Sequence, residues 1–336
     1  MTPPRTREVW VDNVKALACV LVVLGHFSQS MVKSGFVAEG ALYGWFQATV
    51  YTFHVPLFFV CSGYLYQRFS RVDSAAGWWL NVRKKLLALG VPYFFFTLVT
   101  LAMKALAGDA VNDAAGGWLE TLFLQPTAPY WYLYTLFFMF LVVPTAKDGR
   151  MCGCILAAAL AGKAFMLLGG GSLGLPYCVS QTLSYLPWFA AGMCLQALGW
   201  RRLLTPAVGA VSLAFLPLSA AGYALGLFDY PLFGLLIGVL ACVCVVSLVM
   251  WAFRSNAQNP AWGGVVALHD AHLPHAHHLR RGAAGAAREA GRGVRGAARG
   301  GRAGHQLRGA GARHDRDGAP ASARLFGVPL PLRQAV

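Results

Sequence analysis

Four side chains near the start of this sequence are unexpected in so apolar a chain: Asp12, Lys15, His26 and His54. An ionisable group inside a membrane-spanning helix costs several kcal/mol unless it faces protein or a water-filled cavity. On a helix, Lys15 and His26 return to within about 20° of one face, separated by roughly 16 Å of rise. Asp12 precedes Lys15 by three residues and shares that side. One face of the first helix is therefore polar from its entrance to mid-membrane. Imidazole titrates near neutrality, which makes a half-buried histidine within reach of water a natural proton acceptor. The plainer alternatives are that Lys15 snorkels to the lipid headgroups and that His26 hydrogen-bonds to a neighbouring helix. In "FHVPLFFVCSGYLYQRF", His54 sits just before Pro56, which removes a backbone donor from the helix. It either lines the same cavity as His26 or packs in the core. Ser62-Gly63 in the same stretch allows close helix packing.

The elements that must position these residues are apolar stretches of roughly 18–25 residues, the length that crosses a bilayer core of about 30 Å. Spans are expected near 13–33, 45–66, 86–107, 129–146, 152–170, 176–198, 205–226 and 230–253, an all-α polytopic transmembrane helix bundle of eight in-frame helices. The first span has no small-residue cleavage motif and should remain as a signal anchor. Loop charges set the orientation. With the N-terminus (Arg5, Arg7) in the cytoplasm, the inner loops carry Arg68, Arg71, Arg83, Lys84 and Lys85, then Lys147 and Arg150, then Arg201 and Arg202, then Arg254. The outer loops hold Asp109, Asp113 and Glu120, then "GGGSLGLP", then Asp229, while Lys33 and Glu39 cancel in the first. The eight cysteines lie in or beside apolar spans, where they serve as small hydrophobes. Cys152-Gly-Cys154 and Cys242-Val-Cys244 have no third ligand nearby, so no metal site is expected.

Composition divides the chain into a membrane domain, residues 1–256, and a basic tail, residues 257–336. The tail holds 12 of the 28 Lys+Arg residues, all of them Arg, and seven of the nine His, with no Tyr or Cys. Taken literally it is a disordered basic arm, and "HDAHLPHAHH" is a His-rich run that would bind metal only weakly. An excess of Ala, Gly, Arg, Pro and His is also what GC-rich coding DNA yields out of frame. With permitted codons, a one-base shift converts "VVALHDAHLPHAHHLRR" into WWRYTMPIYLMHTIFA, a segment resembling a membrane helix. The preferred reading is therefore a frameshift, with native C-terminal helices missing from this chain. A genuine regulatory arm is the alternative.

"VDNVKALACVLVVLGH", "FHVPLFFVCSGYLY" and "PYWYLYTLFFMFLVVP" resemble, in order and spacing, the signature blocks of the acyltransferase 3 family, particularly its sugar O-acetylase branch. The similarity covers most of residues 8–146, and residues 150–255 match in hydrophobic character only. The resemblance implies an integral protein of the bacterial inner membrane with about ten helices. Its implied activity is transfer of an acyl group, typically acetyl, from acyl-CoA to a carbohydrate or polysaccharide hydroxyl. The family's pattern of a basic residue, ten positions and a histidine maps onto Lys15 and His26, and its Trp-containing block maps onto Trp131. The shifted "PIYLMHTIF" is similar to the family's late "IYLLH" block.

In the implied mechanism His26 is the base that takes the proton of the acceptor hydroxyl. Asp12 and Lys15 hold the cytoplasmic side of the channel. Coenzyme A phosphates would meet Lys15 and the basic loop Arg68, Arg71, Arg83, Lys84 and Lys85, although positive-inside topology explains that loop equally well. His54 and Trp131, with Arg68 and Arg71, are the expected substrate-binding residues. Neither a metal ion nor a nucleic-acid partner is expected. The rival class is a proton-coupled secondary transporter in which Asp12, Lys15, His26 and His54 form a relay. Transporters of that kind often carry inverted repeats, and no internal repeat is evident. A third possibility is an inactive product of a damaged gene, because a bundle missing helices exposes polar interfaces to lipid.

Overall fold

The computed structural model describes residues 8–254, apart from 71, 73, 108–116 and 127–129. Arg5, Arg7, Arg71, Asp109, Asp113 and the whole basic tail from residue 257 lie outside the described residues. The described chain is built of helices: α1 (Val9–Lys33), α2 (Ala41–Phe69), α3 (Ala75–Lys85), α4 (Val91–Ala107), α5 (Trp131–Val142), α6 (Gly149–Leu167), α7 (Tyr177–Ala197), α8 (Pro206–Ser212), α9 (Phe215–Ala224) and α10 (Pro231–Ala252). A π-helical turn, Leu86–Gly90, joins α3 to α4, and no strand occurs among the described residues.

Among the described residues, six helical stretches are long and apolar enough to cross a membrane: Val9–Lys33, Ala41–Phe69, Ala75–Leu106, Gly149–Leu167, Pro206–Ala224 and Pro231–Ala252. The other two expected spans are helical but differ in kind. α5 has 12 residues, a length of about 18 Å, because Pro144 turns Val143 to extended backbone (φ −101°, ψ 116°) and ends the helix. α7 has 21 residues but carries Ser180, Gln181, Thr182 and Ser184 on a helix that other helices surround. α3 and α6 start where a side chain offers an acceptor. Ser74 Oγ accepts from Gly77 N at 3.1 Å, and Asp148 Oδ1 accepts from Met151 N at 2.7 Å.

α2 is the centre of the bundle and packs against α1, α7, α9 and α10. Its closest neighbour is α7, and two glycines make that seam possible. A Cβ on Gly63 would run into the Phe189 carbonyl, and one on Gly192 would run into the Val60 carbonyl. Without side chains there, the two backbones touch, the small-residue packing used between membrane helices. Pro56 sits inside α2 without ending it. It cannot donate to the Thr52 carbonyl, and that carbonyl faces Gly238 of α10, another close backbone approach. The buried core follows α2 throughout, with Leu57, Phe59, Cys61 and Tyr64 among its members. Cys152 and Cys194 meet at 3.0 Å between α6 and α7 as free thiols, while Cys154 points outward, so the two cysteines of the Cys-Gly-Cys pair do not converge.

Candidate active site

The residues singled out in the sequence fall at three levels along the α1–α2 pair. At the first, α1 and α2 bring His26, Tyr51 and His54 together. The rings of His26 and Tyr51 lie 6.3 Å apart and those of Tyr51 and His54 4.7 Å apart, both edge-on. His54 is buried and its Nδ1 donates to the Val50 carbonyl at 2.7 Å. A carbonyl only accepts, so the proton sits on Nδ1 and Nε2 is the nitrogen left for chemistry. His26 is half-buried, at the edge of an exposed face formed by Val23, Leu24 and Phe27.

Two glutamines that the sequence reading passed over hold the turn that carries His26. Gln47 of α2 donates to the Gly25 carbonyl at 3.1 Å and to Ser28 Oγ at 2.7 Å, and its Oε1 accepts from Gln29 Nε2 at 3.2 Å. Gln29, one turn beyond His26 on α1, lies beside the imidazole and is itself held by Gln47. Gly25 allows Tyr51 to lie against α1, since a Cβ there would sit 3.2 Å from the Tyr51 ring. Gln29 follows His26 at helical spacing and Gln47 is an amide near the start of an apolar helix, but neither position reveals its partners in the sequence.

The second level lies nearer the start of α1. Asp12 and Lys15 are half-buried, and Cys61 of α2 lies within electrostatic range of both, as Cys19 does of Lys15. About 16 Å of helix rise separates Lys15 from His26, so these residues share a face without sharing a contact. The third level joins the start of α1 to the end of α2. Arg68 Nη2 pairs with Glu8 Oε1 at 2.7 Å, and Glu8 Oε2 accepts from Trp10 Nε1 at 2.9 Å. Arg68 therefore sits with Glu8 and, across the fold, with Arg201, whereas Lys85 of the same basic loop lies 3.8 Å above the Phe140 ring.

Trp131 lies elsewhere. Its ring packs against Tyr185 of α7 at 5.2 Å and Phe59 of α2 at 6.5 Å, beside Tyr132, which exchanges a hydrogen bond with Ser62 at 3.0 Å. It belongs to an aromatic cluster between α2, α5 and α7 rather than to the histidine cluster. Among the described residues no group of three or more His, Cys, Asp or Glu stands ready to hold a metal ion.

Taken together, the six membrane-length apolar helices among the described residues and a lane of ionisable groups along α1 define an integral membrane protein of the polytopic α-helical class. The chain belongs to the acyltransferase 3 family: residues 8–268 match its Acyltransferase domain. Among curated relatives, Nodulation protein NolL of Mesorhizobium japonicum is 23% identical over 199 residues, covering 58% of this chain and 50% of the relative. Nodulation protein NolL of Sinorhizobium fredii is 28% identical over 136 residues, covering 40% of this chain and 36% of the relative. The chain thus spans about half the length, or less, of the curated relatives it matches. No solved structure matches.

Proposed function

We propose that this chain transfers an acyl group, acetyl in the simplest case, from acyl-CoA to a carbohydrate hydroxyl, with His26 as the general base. A neutral sugar hydroxyl is a poor nucleophile, so its proton must leave as it attacks. The free imidazole nitrogen takes that proton while the oxygen adds to the thioester carbonyl. The tetrahedral oxyanion then collapses, the C–S bond breaks, and the imidazolium returns the proton to the departing thiolate. The products are an ester and coenzyme A thiol, with the imidazole regenerated.

The observation that carries this reading is the half-buried His26, clamped through Gln29 and Gln47 beside Tyr51 and His54, on a helix of a chain that belongs to an acyltransferase family. Asp12 and Lys15 line the approach on the donor side, and the separate aromatic cluster of Trp131 and Tyr185 offers a wall to parts of the sugar remote from the reacting hydroxyl. The loop charges favour an N-terminus in the cytoplasm of a bacterial inner membrane, the side on which acyl-CoA is made. The proton-coupled transporter rests on the same ionisable residues and gains nothing from the family match.

The test uses the full chain in lipid nanodiscs, supplied with acetyl-CoA and a mixture of oligosaccharides, with thiol release followed. The expected release depends on the acceptor and falls at least about a hundredfold in His26→Ala, the usual worth of a general base. An equal rate in His26→Ala removes His26 from that role. The tail is read here as a shifted frame, and resequencing the codons for 250–336 tests it. A one-base change restoring a "PIYLMH"-like segment supports the shift and supplies the repaired chain for the same assay, whereas an unchanged frame in independent reads ends that reading. Lack of acceptor-dependent release from both forms overturns acyl transfer itself.

A further inference from the structure

Glu8 is a carboxylate whose side chain is 8% exposed, gripped by Arg68 at 2.7 Å, Trp10 at 2.9 Å and, more loosely, Arg201 at 3.7 Å. A buried carboxylate is tolerated only when it is paired and hydrogen-bonded in this way. Its partners come from remote parts of the sequence, the end of α2 and the turn Trp200–Leu203 after α7. Gly199, at φ +67°, takes the left-handed conformation that ends α7 and throws Arg201 and Arg202 onto the rim of the bundle. There a cleft of about 430 Å³ opens, lined by Arg68, Arg201, Arg202, Gln196, Gly199 and Met250. That volume lies in the range of small-molecule sites.

Charge and geometry are both unbalanced in this cleft. Three guanidinium groups line the cleft, and two of them, Arg68 and Arg201, face the one carboxylate. The Glu8–Arg201 separation is too long for a hydrogen bond, so the guanidinium donors of Arg201 are not spent on Glu8. Arg202 has no acidic partner among the described residues. A positive-inside bias accounts for arginine at this end of the bundle. It does not account for three of them, from two distant segments, converging on one cleft around an anchored counter-ion.

We propose that this cleft is a phosphate site in which Arg201 and Arg202 form the two binding jaws and Arg68, pinned by Glu8, forms the back wall. Guanidinium groups suit phosphate because their planar forks donate two parallel hydrogen bonds. In naming the ligand this rests on the acyl-CoA reading: acyl-CoA carries a 3′-phosphate and a diphosphate at the end remote from its thioester. Glu8 holds Arg68 in place, and its negative charge also keeps phosphate binding from becoming too tight to release.

The probe is adenosine 3′,5′-bisphosphate, titrated calorimetrically onto the full chain in phosphatidylcholine nanodiscs. Arg201→Gln and Arg202→Gln should each weaken binding about tenfold, the worth of one charge-assisted contact, while Arg254→Gln, which changes a charge at the same end outside the cleft, leaves it unaltered. Arg202→Gln keeps both Glu8 contacts, so its loss of binding cannot come from unfolding around Glu8. Binding that is indifferent to Arg201 and Arg202 overturns the proposal. A second arm replaces part of the lipid with phosphatidylglycerol. If nucleotide fails to bind and the anionic lipid associates in an arginine-dependent way, the phosphate comes from a headgroup and the nucleotide site is wrong. Transfer that depends on His26 with an acetyl-CoA KM indifferent to Arg201 and Arg202 rejects the cleft alone. Arginine-dependent bisphosphate binding without acyl transfer rejects the proposed activity alone.

Discussion

At the scale of single residues, the candidate base is oriented more by its neighbours than by its own burial. Gln47 reaches from α2 to three groups in the turn Gly25–Gln29, so the position of His26 depends on an amide four residues before Tyr51. Gln47→Leu leaves those partners unsatisfied, a cost of about 1–3 kcal/mol. If the cost is felt when the acceptor is deprotonated, kcat falls by roughly five- to a hundredfold while the KM for acetyl-CoA stays near its original value. Gln47→Asn, able to restore part of the network, should recover part of the rate. A KM change with an unaltered kcat would show that the amide serves binding instead. His26, Lys15 and Asp12 were legible in the sequence because ionisable groups stand out in an apolar helix. Gln47 and Gln29 were not, because an amide near the end of a span reads as ordinary interfacial polarity until its partners are seen.

At the scale of elements, the seam between α2 and α7 is the most demanding contact in the bundle. Gly63→Val and Gly192→Val each place carbon where a carbonyl already lies. We expect a loss of about 1–3 kcal/mol or more, read as a lowered thermal midpoint in detergent. Gly153→Ala is the matched control, because its Cβ would meet open space, and it should leave the midpoint in place. Hydropathy located the apolar segments well, since burying or lipid-facing side chains dominate those stretches. It misjudged α5, where Leu141, Val142 and Val143 continue the apolar run past the point at which Pro144 ends the helix. It also missed that α3 and α4 join into one stretch, Ala75–Leu106, through the π turn, because Arg83, Lys84 and Lys85 read as a loop. Those charges sit on the last turn of α3, where the helix runs on through the π turn instead of ending in a loop.

At the scale of the whole molecule, Glu8 ties the start of α1 to the end of α2 and to the turn after α7. In the sequence Arg201 reads as a mark of topology and Arg68 as that or a substrate-binding residue, and no local pattern announces that two residues so far apart share Glu8. Glu8→Gln keeps an acceptor for Trp10 but removes the charge that both arginines face. Protection against hydrogen exchange should fall at the start of α1 and in the turn Trp200–Leu203 together, and a change confined to one of them would show that Glu8 does not join them. The glycine seam bears on movement as well as on stability. Two helices in backbone contact have no side chains that can rotate to accommodate sliding, so α2 and α7 act as a fixed beam, with His54 and Tyr185 mounted on it. α1, which carries His26, meets that beam through side chains instead. Relative movement within the bundle is therefore expected at the side-chain contact of α1 rather than at the α2–α7 seam, as a door moves on its post.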